Sequence, residues 1–136
     1  SPIFFFFCRL FVVSDSFGRP CPCGRGVVYE KCCQPLHHGE RQAVTAEELM
    51  RSRYSAYATG NADYVFRTWH PRTRPADLTV DADVVWTGLT VADVVAGGAG
   101  DDTGEVEFTA SYDEGSLHER SRFERRGGRW VYVDGD

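Results

Sequence analysis

Residues 20–33 read Pro20-Cys-Pro-Cys-Gly-Arg-Gly-Val-Val-Tyr-Glu-Lys-Cys-Cys33, and this stretch carries four of the chain's five cysteines. The pattern is Cys21-x-Cys23, eight intervening residues, then Cys32-Cys33. Disulfide pairing fits it badly: vicinal Cys32 and Cys33 cannot bond without strain, and such cysteine density belongs to small secreted domains. A dithiol redox centre wants Cys-x-x-Cys at a helix start, and no pair here has that spacing. A four-thiolate metal site fits, since a tetrahedral ion takes four soft ligands at about 2.3 Å, supplied as two close pairs. Pro20 and Pro22 stiffen the entry, and Gly24 and Gly26 are expected to aim backbone N–H groups at the thiolates. Tyr29 is the expected apolar cover of a unit too small for a core of its own. Such a site is closed, so the metal holds the fold and leaves no position for a substrate. One zinc ion is expected, with iron the alternative because four thiolates suit both.

The segment resembles the SEC-C motif, known from the tail of the preprotein translocase, whose pattern runs C-P-C-G-S-G-x-x-Y-x-x-C-C/H. The resemblance implies that Cys21, Cys23, Cys32 and Cys33 bind one zinc. Pro22, Gly24, Gly26 and Tyr29 fall on its framework positions. Arg25 replaces the usual Ser, and Val27-Val28 replaces a frequently basic pair. The unit is therefore less basic than versions that contact ribosomes or acidic partners. The connector that follows holds His37 and His38. With four thiolates already present, both are expected to be exposed rather than metal-bound.

Upstream, residues 1–13 read SPIFFFFCRLFVV. The run is broken by Arg9 and falls short of the about 20 apolar residues of a membrane-spanning helix. It also lacks the basic start and small-residue cleavage site of a secretory signal. Val13 reads as a misassigned bacterial start, which would make residues 1–12 non-native; the competing reading is a hydrophobic tail lying on the domain. Residues 1–19 thus form a tail, 20–41 the cysteine unit and connector, and 42–136 a larger domain. A cytoplasmic location is expected.

Downstream, Thr45-Ala-Glu-Glu48 is a capping box. It opens a helix carrying Met50, Tyr54, Tyr57 and Ala58 at helical spacing and ending at Gly60. Asn61 caps a second helix with Ala62, Val65, Phe66 and Trp69 on one stripe, expected to stop at His70-Pro71. From Val84 the period becomes two. Val84–Ala96 reads as one bent strand with Gly88 a candidate bulge. Further strands follow over 105–112, 117–126 and 129–134, with the inward face of the third carrying Leu117, Glu119, Ser121 and Phe123. Two helices followed by an antiparallel meander make an α+β domain, the helices packed on one side of a curved sheet.

The composition, 42% hydrophobic and 26% charged, excludes a collagen-like or wholly disordered chain. A net charge of −5 argues against bulk attraction to nucleic acid or an anionic membrane. The charge is uneven: residues 76–117 hold ten acids and no Lys or Arg, while 120–129 hold five Arg. Opposite charges pairing across adjacent strands is one explanation. The other is a basic strand, with Arg120, Arg122 and His118, reaching an anionic ligand.

The whole from Cys21 to Asp134 resembles the YchJ family of bacteria, through Pro35-Leu36-His37, residues 46–60, 68–75 and 117–123, and Tyr132–Asp136. The resemblance implies a SEC-C unit joined to a nuclear-transport-factor-2-like (cystatin-like) domain with a cone-shaped cavity; the family's biochemical role is itself unsettled. Candidates for a ligand pocket or a buried ion network are Arg53, Tyr54, His70, His118, Glu119, Arg120 and Arg122, with Arg53 or Arg51 the expected partner of Glu119. No catalytic residues are assigned, because no Ser-His-Asp set, phosphate loop or HExxH pattern is present. Two functions remain in play. One is a metal-binding adaptor whose SEC-C unit docks a macromolecular partner such as the ribosome or a nascent-chain factor. The other is a small-ligand-binding protein or enzyme using the cavity.

Overall fold

The computed structural model describes residues 18–136, so the expectations for residues 1–12 and Val13 lie outside the described residues. A 3-10 turn (Tyr29–Lys31) is followed by helices α1 (Gln34–His37), α2 (Ala46–Thr59) and α3 (Ala62–Arg67). Strands β1 (Trp86–Ala96), β2 (Thr103–Tyr112), β3 (Gly115–Arg126) and β4 (Arg129–Gly135) then form an antiparallel meander in sequence order.

α2 starts where the capping box places it. Thr45 is extended and its Oγ1 accepts from the Glu48 N–H at 3.1 Å. The return bond of Glu48 reaches one residue further out, to the Val44 N–H at 2.8 Å. Gly60 ends the helix at φ 76°, a left-handed value that favours glycine. The buried stripe runs through Leu49, Met50, Tyr54 and Ala56, with Tyr57 half-buried; Ala58, expected inside, is exposed. Three polar residues, Ser52, Arg53 and Ser55, share the buried side.

α3 begins at Asn61, whose Oδ1 accepts from the Tyr64 N–H at 3.0 Å, but it stops at Arg67 rather than at His70-Pro71. The sheet competes for its last turn. Trp69 forms a parallel bridge with Tyr132, with Tyr132 N–H donating to Thr68 O at 2.8 Å and His70 N–H to Tyr132 O at 2.7 Å.

The first strand begins at Trp86, two residues later than the sequence reading, and Val85 is exposed. Its register slips between Trp86 and Gly88, the expected bulge, and again between Val91 and Asp93. Such irregularities bend a sheet, here around α2 and α3. Leu49, Val65, Val106, Phe123 and Trp130 fill the space between. Gly97 and Gly104 mark the closest approach: a Cβ on Gly104 would lie 2.5 Å from Gly97 Cα and 3.1 Å from Ala46 Cβ. That gap lets Ala46 N–H, in the first turn of α2, donate to Gly97 O at 2.9 Å.

The cysteine unit is not a separate module. Its four cysteines are buried in one cluster with Tyr54 of α2 and Ala110 of β2, and Trp86, Leu89 and Phe108 pack against it. Tyr29, expected as the main cover, is only half-buried. The larger domain covers the sulfurs because a segment this short has too few side chains to do so. No helix among the described residues is long and apolar enough to cross a membrane.

Candidate metal centre and cavity

The backbone around the cysteines is a tight knuckle. Pro20 and Val28 form an antiparallel bridge, and Cys21 N–H donates to Val27 O at 2.8 Å. The excursion between them turns through Gly24 at φ 81° and Gly26 at φ 84°, where an L side chain would be strained. Gly24 N–H does not reach a sulfur, as had been expected; it donates to Cys21 O at 3.2 Å. The 3-10 turn and the start of α1 bring back Cys32 and Cys33.

All four sulfurs lie within 4.8 Å of one another, and each cysteine is at most 4% exposed. Cys23 Sγ and Cys32 Sγ are 3.6 Å apart, and Cys32 Sγ and Cys33 Sγ 4.0 Å. A tetrahedron with metal–sulfur bonds of about 2.3 Å has edges of about 3.8 Å. The cysteines are free, and separations near a tetrahedral edge are far too long for a disulfide. The donor set therefore fits a tetrahedral thiophilic cation.

Electrostatics agree. Hydrogen bonds from Cys23, Cys33 and the Ser55 hydroxyl hold the Cys21 thiol well below its ordinary range, the Ser55 oxygen lying 3.4 Å from the sulfur. Burial, with the Cys23 sulfur beside it, pushes Cys32 up to about 12. Cys33 is pushed up as well, by hydrogen bonding to Cys21 and Cys23. Without a cation the cluster thus favours few negative charges, and a divalent ion must displace protons to enter.

His37 differs from expectation. It is 4% exposed, with Nε2 2.8 Å from Ser52 O and Nδ1 2.7 Å from Tyr29 Oη. The geometry fixes one neutral tautomer, Nε2–H donating to the carbonyl and Nδ1 accepting from the phenol. The ring thereby bolts the cysteine unit to α2. His38 is exposed, as expected. Two arginines add to the joint: Arg51 Nη1 donates to Cys23 O at 2.8 Å and Arg67 Nη2 to His37 O at 2.7 Å.

Beyond Tyr54 and Ala110, under the concave face of the sheet, lies a cavity of about 270 Å³. Met50, Trp86, Phe108, Leu117 and Phe123 give it an apolar lining, and Arg53, Tyr54, Tyr57, Trp69, Glu119 and Tyr132 also face it. The expected ion pair does not form. Arg53 Nη1 donates to Val65 O at 2.9 Å and Thr68 Oγ1 at 2.8 Å, at the end of α3. Glu119 is drawn towards β4, accepting from Tyr132 Oη and Ser121 Oγ, both at 2.7 Å. Arg51 pairs instead with Glu47. Burial depresses the Arg53 pKa, and burial together with the Glu119 carboxylate raises that of Tyr132.

Of the seven sequence candidates, Arg53, Tyr54 and Glu119 line the cavity and four do not. His70 is buried elsewhere, its Nδ1 accepting from Arg72 N–H at 3.0 Å. His118, Arg120 and Arg122 point to the outer face of β3, opposite Glu119 and Ser121. There His118 bonds Glu107 at 2.6 Å, Arg120 meets Asp93, Glu105 and Glu107, and Arg122 meets Asp134 and Asp136. Glu107 lies opposite Arg120 in the register, so the charges pair across strands, the first of the two explanations of the uneven charge. The sequence candidates omitted Trp69, Ser121 and Tyr132. Alternation already placed Ser121 beside Glu119, and the helical stripe already carried Trp69, although α3 ends before it and the bridge to Tyr132 holds it.

Comparison with known proteins gives the same two parts. The SEC-C motif matches residues 20–35, and the family described as YchJ, middle NTF2-like domain, matches residues 45–135. The chain belongs to the YchJ family. It is 60% identical over 117 residues to the UPF0225 protein SCO1677 of Streptomyces coelicolor, covering 86% of this chain and 94% of that one. A UPF0225 protein of Deinococcus radiodurans is 54% identical, over 85% of this chain and 88% of its own. Among solved structures, the SEC-C motif protein RPA3114 of Rhodopseudomonas palustris superposes with a TM-score of 0.74 at 36% identity, covering 87% of this chain and 98% of its own. A SEC-C motif protein of Psychrobacter arcticus gives a TM-score of 0.65 at 28% identity, covering 86% and 80%. In this YchJ-family chain the SEC-C cysteines and the cavity therefore lie side by side on one α+β scaffold.

Proposed function

We propose that this YchJ-family protein is a small-molecule-binding protein braced by one zinc ion. The observation that carries the reading is the cavity, a half-open, largely apolar space onto which a few polar groups converge, the usual anatomy of a ligand site. The metal, on Cys21, Cys23, Cys32 and Cys33, holds the wall formed by Tyr54 and Ala110 and takes no substrate. Elemental analysis of protein from its own host should give one zinc per chain, lost in Cys32→Ser; iron in its place would change the ion but not its role. A thermal-shift screen of the metal-loaded chain against small metabolites should yield stabilising ligands whose effect is abolished by Leu117→Trp, which fills the half-exposed edge of the cavity. A broad screen with no hit would reject the reading.

A second reading keeps the adaptor role, with a ribosome or nascent-chain factor as partner. It is supported by the outer rim of the knuckle, where Gly24, Arg25 and Lys31 are exposed. Co-sedimentation with ribosomes, weakened by Arg25→Glu with Lys31→Glu while metal content is unchanged, would support it.

A further inference from the structure

The cavity's hydrogen bonding is incomplete at one point. Arg53 is only 6% exposed, and its guanidinium carbon lies 5.1 Å from the Trp69 ring centre and 4.6 Å from that of Tyr132. Nη1 is satisfied by α3, but Nε and Nη2 have no acceptor, and no carboxylate pairs with the side chain, among the described residues. A guanidinium carries five N–H donors in a rigid fork, and burying it without a counter-ion is costly. In the same wall, Trp69 Nε1 is buried and has no partner among the described residues. Trp69 Nε1, a buried donor without a partner, points to an absent acceptor, and the unbonded edge of Arg53 opens onto the same cavity. Glu119 does not supply it, because its hydrogen bonds come from Tyr132 and Ser121.

We infer that the cavity takes a small organic monocarboxylate, its carboxylate on the free edge of Arg53 near the Trp69 indole and its apolar body against Trp86 and Phe108. The inference rests on the cavity being a small-molecule site. The charge class follows from the count of groups: one guanidinium faces the space, and Glu119 beside it disfavours a dianion such as a phosphate monoester. The size follows from volume. About 270 Å³, open at the Leu117 edge, suits a small organic body of about ten non-hydrogen atoms.

The test uses the full metal-loaded chain and three ligands of one shape: phenylacetate, phenylacetamide and phenethylamine. Calorimetry gives the affinities, and the indole N–H signals report the place. Phenylacetate should bind at least about tenfold more tightly than either analogue, as a charge-assisted hydrogen bond commands. It should shift the signals of Trp69 and Trp86 but not that of Trp130, whose Nε1 is occupied by Val44 O at 3.0 Å. Arg53→Lys, which keeps the charge and loses the fork, should weaken the acid alone. Should the amide or the amine bind as tightly as the acid, the carboxylate assignment falls while the cavity reading stands. Should none of the three perturb Trp69 or Trp86, the assignment falls as well. The cavity reading then falls only with an empty library screen.

Discussion

His37 shows how much one side chain can join. Both of its ring nitrogens are used, one by the 3-10 turn and one by α2, so the imidazole is held neutral and burial lowers its pKa. The sign of the linkage is fixed by that direction. The unfolded state takes up a proton first, so the stabilisation is whole above the ordinary histidine value of about 6.5 and is lost as the pH falls through the depressed folded value. Replacing His37 by Phe removes its hydrogen bonds to the Ser52 carbonyl and the Tyr29 hydroxyl. It should cost about 2–4 kcal/mol in urea unfolding at pH 7.5 and flatten the acid limb of the stability curve. The sequence reading missed this residue for a physical reason. His37 lies in a turn-rich connector without period, and its burial is decided by Ser52, fifteen residues away. The cysteines were legible because metal chemistry acts through spacing alone.

At the scale of elements, the period of each segment decided what could be read. β2 and β3 alternate along their pairing, so each begins within two residues of where the pattern puts it, and Glu119 faces inwards as expected. α2 was legible through its cap, and Thr45→Ala should cost about 1 kcal/mol without changing metal content, measured by thermal unfolding and elemental analysis on one sample. The end of α3 was not legible, because the bridge from Trp69 to Tyr132 is a tertiary interaction that overrides the local proline signal. Where α2 meets the sheet there is no slack. Gly104→Val must displace the Gly97 backbone or Ala46, so a loss of about 2 kcal/mol or more in urea unfolding is expected. A Gly127→Ala change, in the open β3–β4 turn, meets nothing nearby and should cost only its positive-φ strain, about 1 kcal/mol, which serves as the control.

For the whole molecule, the structure joins the two parts that the sequence reading delimits. Tyr54, Ala110, Phe108 and Trp86 belong both to the buried cysteine cluster's surroundings and to the cavity lining. Chelation should therefore lower the unfolding temperature of the entire domain in one transition and weaken cavity ligands with it; two separate transitions would overturn the coupling. Because Cys32 and Cys33 hold their protons until a cation displaces them, metal affinity should fall as pH drops from 8 to 6, read by competition with a coloured chelator. The same joint has a consequence for the order of synthesis. The knuckle leaves the ribosome early, whereas Tyr54, Ser55 and finally Ala110, which shelter it, emerge later. A nascent chain thus presents its thiols before their cover exists, and for that interval an early-bound metal ion is what stands between them and oxidation.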